Sequence, residues 1–257
     1  MKLESALKHF SPKGLVINSS PKCTSTDRIT GTDVMAALGM AESKATFGMA
    51  AFLGKHGVSN EDTIRTVEQL TLYARRQVPK LITKASGNRL GKCLVILAKM
   101  AFEEYSRSAA TTTSCAHCNG RGLISVQREV IKYAGYKDVI EQRVETERVD
   151  ELCSPCNGKG IVSSRCRCNG TGKVVDREAT KATKATGAPV IKICERCSGR
   201  GYSRVPSSVA YAAIKALLPE LTQSSWSRNW KPFYEKLVAK CDIEESRAES
   251  EFSKVTR

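Results

Sequence analysis

From Thr32 onward, apolar residues recur at helical spacing. TDVMAALGM and KATFGMAAFLGKHG place Val34, Met35 and Leu38, then Phe47, Met49, Phe52 and Leu53, on apolar faces, which predicts two short helices. Ser59 or Asn60 opens a longer helix, with Glu61 and Asp62 in its electropositive first turn. Its face runs Ile64, Val67, Leu70, Ala74, Val78 and Leu81. Pro79 lacks an amide proton and crowds the preceding turn, so it should kink or interrupt that run. GN at 87–88 marks a turn, and RLGKCLVILAKMAFEEYSRS predicts the next helix, with Cys93 as a small buried thiol. Before Thr32 few apolar residues fall in register, and residues 1–30 read as a weakly ordered arm with Cys23 as a free thiol.

Between Thr111 and Gly201 the helical period disappears. LISVQREVIKYAGYKDVIEQRVETERV predicts a long hairpin turning near AGYKD. KVVDREATKATKATGAPVIKI predicts a second, whose cationic, small-residue tip KATKATG should be mobile. Helices then return. PSSVAYAAIKALL begins on proline, where the missing amide costs nothing, and Pro219 stops it. Thr222 can cap a short helix, TQSSWSRNW, and Pro232 fits the first turn of a final helix. Helix, tight turn and short helix presenting Gln223, Ser224, Ser225, Arg228 and Lys231 is helix-turn-helix spacing, shared by three-helix units that never touch DNA. The expected fold is mainly α: an arm at 1–30, a helical body at 31–110, an inserted cysteine-rich β-hairpin segment at 111–204, and a helix-turn-helix-like region at 205–257.

The inserted segment writes C-x-x-C-x-G-x-G three times: CAHCNGRG at 115–122, CSPCNGKG at 153–160 and CERCSGRG at 194–201. A fourth copy, SSRCRCNGTGK at 163–173, has Arg165 where the first cysteine would stand and Cys166 one position late. Two thiolates separated by two residues chelate a metal in one turn, and a tetrahedral Zn2+ takes four at about 2.3 Å. The glycines permit the positive φ that turns backbone amides toward the sulfurs. One such pair would fit a redox dithiol equally well; three pairs and a near-copy point to Zn2+. The altered copy is either a decayed site or one of different geometry. It keeps C-x-G-x-G after Cys168, and C-x-C still presents two sulfurs if the backbone bends, which favours an intact site. His117, between two ligand cysteines, should point outward.

Charge narrows the reading. With 41 Lys and Arg against 26 Asp and Glu, the net charge of +15 suits a polyanionic partner or a solubilising surface. The start MKLESALKHF lacks the apolar core of an export signal, and CLVILAKMAF is too short to cross a bilayer. A cytosolic location follows, where eleven cysteines stay reduced and metal is a better explanation than disulfides. No paired carboxylates, nucleophile–histidine arrangement or phosphate-cradling glycine loop suggests an enzyme.

The repeated cysteine motif resembles the zinc domain of DnaJ co-chaperones. That resemblance implies nesting of first repeat with fourth and second with third. Cys115, Cys118, Cys194 and Cys197 would form an outer zinc site, and Cys153, Cys156, Cys166 and Cys168 an inner one. The short link NGKGIVSSR between the inner repeats agrees with this nesting. No HPD signature accompanies the three histidines, so the J domain of that family is absent.

The two ends carry a more specific likeness. MKLESALKHFSPKG, TGTDVMAALGMAESKATFGMAAFLGKHG, SRSAAT and GYSRVPSSVAYAAIKALLPELTQSSWSRNWKPFYEKLVAKCDIEESRA resemble the late-gene antitermination protein Q family of lambdoid bacteriophages, phage lambda type, while 55–105 agrees in helical pattern more than in letters. The resemblance implies binding to a late-promoter DNA element and to paused host RNA polymerase still holding its primary sigma factor. It further implies travel with the enzyme, next to the nascent RNA, and narrowing of the RNA exit channel so that terminator hairpins cannot form. It also implies one zinc site from two C-x-x-C pairs, matching Cys115, Cys118, Cys194 and Cys197 by position, with a longer segment between them here. Arg121, Arg200 and Arg204 adjoin that outer site as candidate DNA contacts, with Gln223, Ser224, Ser225, Arg228 and Lys231 on the short helix. Arg75, Arg76 and Lys80 form a further basic group, equally an ordinary solvated face. The rival readings are a zinc-dependent DNA-binding repressor without a role in elongation and a DnaJ-like chaperone or thiol-redox module.

Overall fold

The computed structural model describes residues 2–10, 31–133, 143–182 and 188–256. The expected free thiol Cys23, the hairpin turn at AGYKD and most of the KATKATG tip lie outside these residues. The chain forms two compact units, Met1–Ser106 with Val205–Arg257, and Arg107–Arg204. The C-terminal region is therefore no separate domain: its helices share a core with the N-terminal ones.

The first unit is helical. It comprises α1 (Leu3–Phe10), α2 (Gly31–Lys44), α3 (Thr46–Lys55), α4 (Asn60–Gln77), α5 (Lys80–Ser86), a 3-10 turn at Gly87–Arg89, and α6 (Leu90–Tyr105). The side chain of Ser59 caps α4 by accepting from the amide of Asp62. Pro79 interrupts the run as expected, because α4 stops at Gln77 and α5 starts after the proline. Leu70 and Ala74 are buried, but Ile64 and Leu81 are 59% and 65% exposed. The buried stripe is Thr66–Leu70–Ala74, with Val67 and Val78 of the expected face half-buried beside it, and Thr66 is tolerated inside because its hydroxyl donates to the carbonyl of Asp62 at 2.6 Å. Met35, expected on an apolar face, is also exposed. The arm expectation fails at its start: α1 is a helix whose Leu3 and Ala6 are buried with Val34, Phe52, Ala248 and Phe252.

After the second unit the chain returns as α8 (Ser207–Leu217), α9 (Gln223–Ser225), a π turn (Trp226–Trp230) and α10 (Lys231–Val255). Thr222 caps α9, accepting from the amide of Ser225 at 3.3 Å. No loop separates α9 from α10. The amide of Lys231 donates five residues back to the carbonyl of Trp226, and this widened turn takes up Pro232 in a run that continues to Val255. The short helix of the sequence reading is thus the first turn of a long one. Trp226 and Trp230, 1% exposed and stacked with centroids 6.5 Å apart, fix it to the core formed by Leu70, Ile82, Leu94, Leu97 and Leu237.

Among the described residues the second unit holds six strands, β1 (Thr112–Ser114), β2 (Leu123–Tyr133), β3 (Arg143–Leu152), β4 (Ile161–Ser163), β5 (Lys173–Val175) and β6 (Ile191–Ile193), and the short helix α7 (Arg177–Ala182). All pairing is antiparallel: β2 with β3, β5 with β6, and β1 with β4. Both predicted strand pairings therefore form, while in the second α7 takes up residues read as part of the hairpin and its tip.

Candidate metal centres

Each hairpin starts one residue after a motif ends and finishes one residue before the next motif begins. Leu123 pairs with Leu152, directly after Gly122 and directly before Cys153. Lys173 pairs with Ile193, directly after Gly172 and directly before Cys194. The strands therefore bring the first motif against the second and the third against the fourth. The resulting groups are Cys115, Cys118, Cys153 and Cys156, and Cys166, Cys168, Cys194 and Cys197, all buried. This corrects the nested pairing: no outer site joins Cys115 and Cys118 to Cys194 and Cys197, and no inner site joins Cys153 and Cys156 to Cys166 and Cys168.

The two halves of each module bind one another through a reciprocal exchange of backbone hydrogen bonds. The amide of Cys115 donates to Gly160 O and that of Cys153 to Gly122 O, both at 2.8 Å. In the second module Cys166 donates to Gly201 O at 2.9 Å and Cys194 to Gly172 O at 2.8 Å. Cys166 thus occupies the slot of a first cysteine, and the altered motif is one residue short in its loop. The closing glycines make the exchange sterically possible. A Cβ on Gly122 would stand 2.3 Å from Gly158 O, and one on Gly201 2.2 Å from Gly170 O, with φ at +80° and +82°. Outside the metal loops β1 and β4 close the first module, and an Arg165–Tyr202 bridge closes the second.

Sulfur geometry fits four-coordinate metal. Cys115 and Cys153, and Cys118 and Cys156, have sulfurs 3.7 Å apart; Cys166–Cys194 and Cys168–Cys197 measure 3.9 and 3.8 Å. A tetrahedron with metal–sulfur bonds of about 2.3 Å has edges of about 3.8 Å. These separations are far beyond a disulfide bond of about 2.05 Å. Each group could hold one metal ion. Amides point at the sulfurs: Gly122 to Cys118 at 3.1 Å, Gly172 to Cys168 and Gly201 to Cys197 at 3.3 Å. Burial pushes the Cys153 thiol up to about 12. Cys166 has an amide hydrogen bond from Cys168 that favours its thiolate, but burial and its thiol neighbours leave it at about 11. At Cys168 burial acts upward, and amide bonds from Gly172 and Gly170 with the Cys166 and Cys197 thiols outweigh it, giving about 7. His117 is exposed, and its Nδ1 lies 3.6 Å from the Cys153 sulfur, beside the four-thiol group and outside it.

The candidate DNA contacts fall into separate places. Arg121 and Arg200 occupy the same position in their motifs, between the two glycines, with amides donating to Cys118 O and Cys197 O at 3.0 and 3.1 Å. They belong to different modules, so no single outer site carries both. Arg204 follows the second module and is exposed like them. Gln223, Ser224 and Arg228 are exposed, and Ser225 and Lys231 half-buried, along α9 and the turn after it. The signal that pairs the motifs lay in the hairpins, whose strands abut the motifs in the sequence itself.

Two buried four-thiol groups, each able to hold a metal ion, together with a separate helical unit, define a mainly helical protein with a strong cationic excess. Comparison with known proteins places it further. The profile of the antitermination protein Q family matches residues 23–109 and 160–249, and the chain belongs to that family. It is 41% identical over 259 residues to a prophage antitermination protein Q homolog of Escherichia coli K12, with both chains fully covered. It is 38% identical over 260 residues, again with full coverage of both, to the antitermination proteins Q of Salmonella phage P22 and Escherichia phage lambda. The family match leaves out residues 110–159, which hold all four cysteines of the first module, and includes Cys166, Cys168, Cys194 and Cys197. The protein is a phage-type transcription antitermination factor.

Proposed function

We infer that the protein binds a late-promoter DNA element, loads onto paused host RNA polymerase that still holds its primary sigma factor, and lets the enzyme read through terminators by narrowing the RNA exit channel around the nascent transcript. The full-length identity to proteins named antitermination protein Q carries this reading. It acts by binding, without catalysis, in the bacterial cytoplasm. Each four-thiol group takes one Zn2+, two per chain, and four thiolates leave no open position for a reacting water. Cys115, Cys118, Cys153 and Cys156 would hold one ion, and Cys166, Cys168, Cys194 and Cys197 the other. The metal supplies rigidity, fixing the loops on which Arg121 and Arg200 stand, so that these side chains meet phosphates at little ordering cost. Gln223, Ser224, Ser225, Arg228, Lys231 and Arg204 supply the remaining DNA contacts, the first five at the start of a helix held by two buried tryptophans. The test is transcription of the cognate late-promoter template with host polymerase and an intrinsic terminator. Added protein should raise readthrough. Promoter binding with unchanged readthrough would assign a repressor, and the elongation role would fall.

A further inference from the structure

Between Glu68 and Glu103 the chain has no carboxylate, and the helical unit folds that stretch into one cationic surface. Ile82 is fully buried, and Val78 and Leu90 pack on the same core. Arg75, Arg76, Lys80, Lys84, Arg89 and Lys92 are left exposed along the end of α4, α5 and the start of α6. Among the described residues no carboxylate forms an ion pair with any of these six, whereas Lys44, Lys55, Arg65, Lys192 and Lys240 each have at least one. Arg89 donates to the carbonyl of Leu217 at the end of α8, which leaves its charge in place. Sequence-distant cations join them. α5 packs against the turn Trp226–Trp230 that carries Arg228, and Lys236 of α10 reaches the side chain of Gln77 at 3.4 Å.

We propose that this face, from Arg75 to Lys92 with Arg228 beside it, docks the phosphate backbone of duplex DNA. The proposal deepens the DNA-binding reading above and rests on it. A row of unpaired cations on rigid helices matches a regular array of phosphates, and each neutralised phosphate releases counterions. Single strands are bound differently, by stacking bases on exposed aromatic rings. Among the described residues this unit offers no such platform nearby: Trp226 and Trp230 are 1% exposed, Lys240 lies over the Tyr73 ring at 5.0 Å, and Lys215 lies over Tyr211 at 5.6 Å.

The test uses the full-length, metal-loaded protein and measures fluorescence anisotropy with late-promoter duplex between 50 and 200 mM potassium chloride. The variant is Arg76→Gln with Lys80→Gln and Lys84→Gln. The control removes the same charge at cations that pair with Glu251 or Glu244: Lys44→Gln, Arg247→Gln and Lys254→Gln. Circular dichroism melts establish that both fold. Each phosphate contact contributes about 0.9 to the salt slope, so three lost contacts shrink the affinity change over this range by roughly 40-fold. The proposal expects that change in the variant and none in the control. Unaltered duplex binding by the variant overturns it and leaves the DNA-binding reading standing. Loss confined to a single-stranded RNA of the same sequence overturns it in favour of the transcript. Lost readthrough with unaltered duplex binding assigns the face to a protein partner and also overturns it. Failure of the wild-type chain to bind the duplex at all removes both readings.

Discussion

The sharpest test of the metal modules removes one half-site and asks which cysteines lose protection. Replacing Cys153 and Cys156 together by serine leaves Cys115 and Cys118 without partner sulfurs, since those now lie 3.7 Å away in the same group. The first module has little else to hold it. Among the described residues its buried cluster adds to the cysteines only the half-buried Ile124, and even a fully buried isoleucine contributes about 1.5–3 kcal/mol. Structural zinc in small domains contributes about 10–16 kcal/mol. The module should therefore unfold, and zinc content should fall from two ions per chain to one. Stoichiometry alone does not distinguish the nested arrangement, which would also lose one ion. Brief alkylation with iodoacetamide followed by peptide mass mapping does. Side-by-side pairing exposes Cys115 and Cys118 and keeps Cys166, Cys168, Cys194 and Cys197 protected. Protection of Cys115 and Cys118 with labelling of Cys166 and Cys168 would refute the pairing and the hairpin argument behind it.

Three further outcomes follow from named contacts. Gly201→Ala places a methyl group 2.2 Å from Gly170 O at a φ of +82°, so zinc release from the second module to a colorimetric chelator should be much faster. Gly199→Ala meets only the Ile193 side chain at 3.3 Å and carries chiefly the backbone cost, about 1–2 kcal/mol; equal release from both would refute the close-packing account. Trp226→Ala removes a ring that is 1% exposed between α8 and the core and should cost about 3–5 kcal/mol of helical-unit stability in urea unfolding, against a change within ~0.5 for the exposed Ser224→Ala. Tyr105 has its phenol pushed up, first by burial and then by the Glu245 charge it donates to at 2.8 Å. Its contribution is full below the unfolded value of about 10 and lost as pH rises above it. Thermal melts from pH 8.5 to 11 should fall more steeply for the wild type than for Tyr105→Phe, and parallel curves would refute this assignment.

Most of the helical unit was legible in the sequence because period and punctuation agreed. Pro79, Thr222 and the apolar repeat from Leu90 gave boundaries that stand. The misses share a physical cause, a tertiary contact that local pattern does not encode. Leu3 and Ala6 are too few to mark a helix, yet α10 supplies Ala248 and Phe252 for them to pack against. Thr66 reads as polar, but an internal hydroxyl bond lets it take a core position that Ile64 leaves. Pro232 sits in the first turn of α10 as expected, but the π turn before it makes the short helix continuous with the long one, which the letters do not mark.

The metal modules are the instructive case, because the sequence held two incompatible readings at once. The motif resemblance implied nesting, while the two predicted hairpins implied side-by-side pairing. Chain entropy cannot choose between them. Loop-closure cost grows only with the logarithm of loop length, so the two arrangements differ by under ~1 kcal/mol. Backbone geometry can. Strands that start one residue after Gly122 and end one residue before Cys153 leave no slack for the first motif to travel to the fourth. The reciprocal bonds from Cys115 to Gly160 and from Cys153 to Gly122 then need glycine at each close approach. The same bond from Cys166 to Gly201 explains the irregular third motif. Its cysteine stands one position late in the letters because the loop lost a residue, while the slot it fills in the fold is unchanged. Arg165, left outside the metal loop, pairs instead with Tyr202 to close the module.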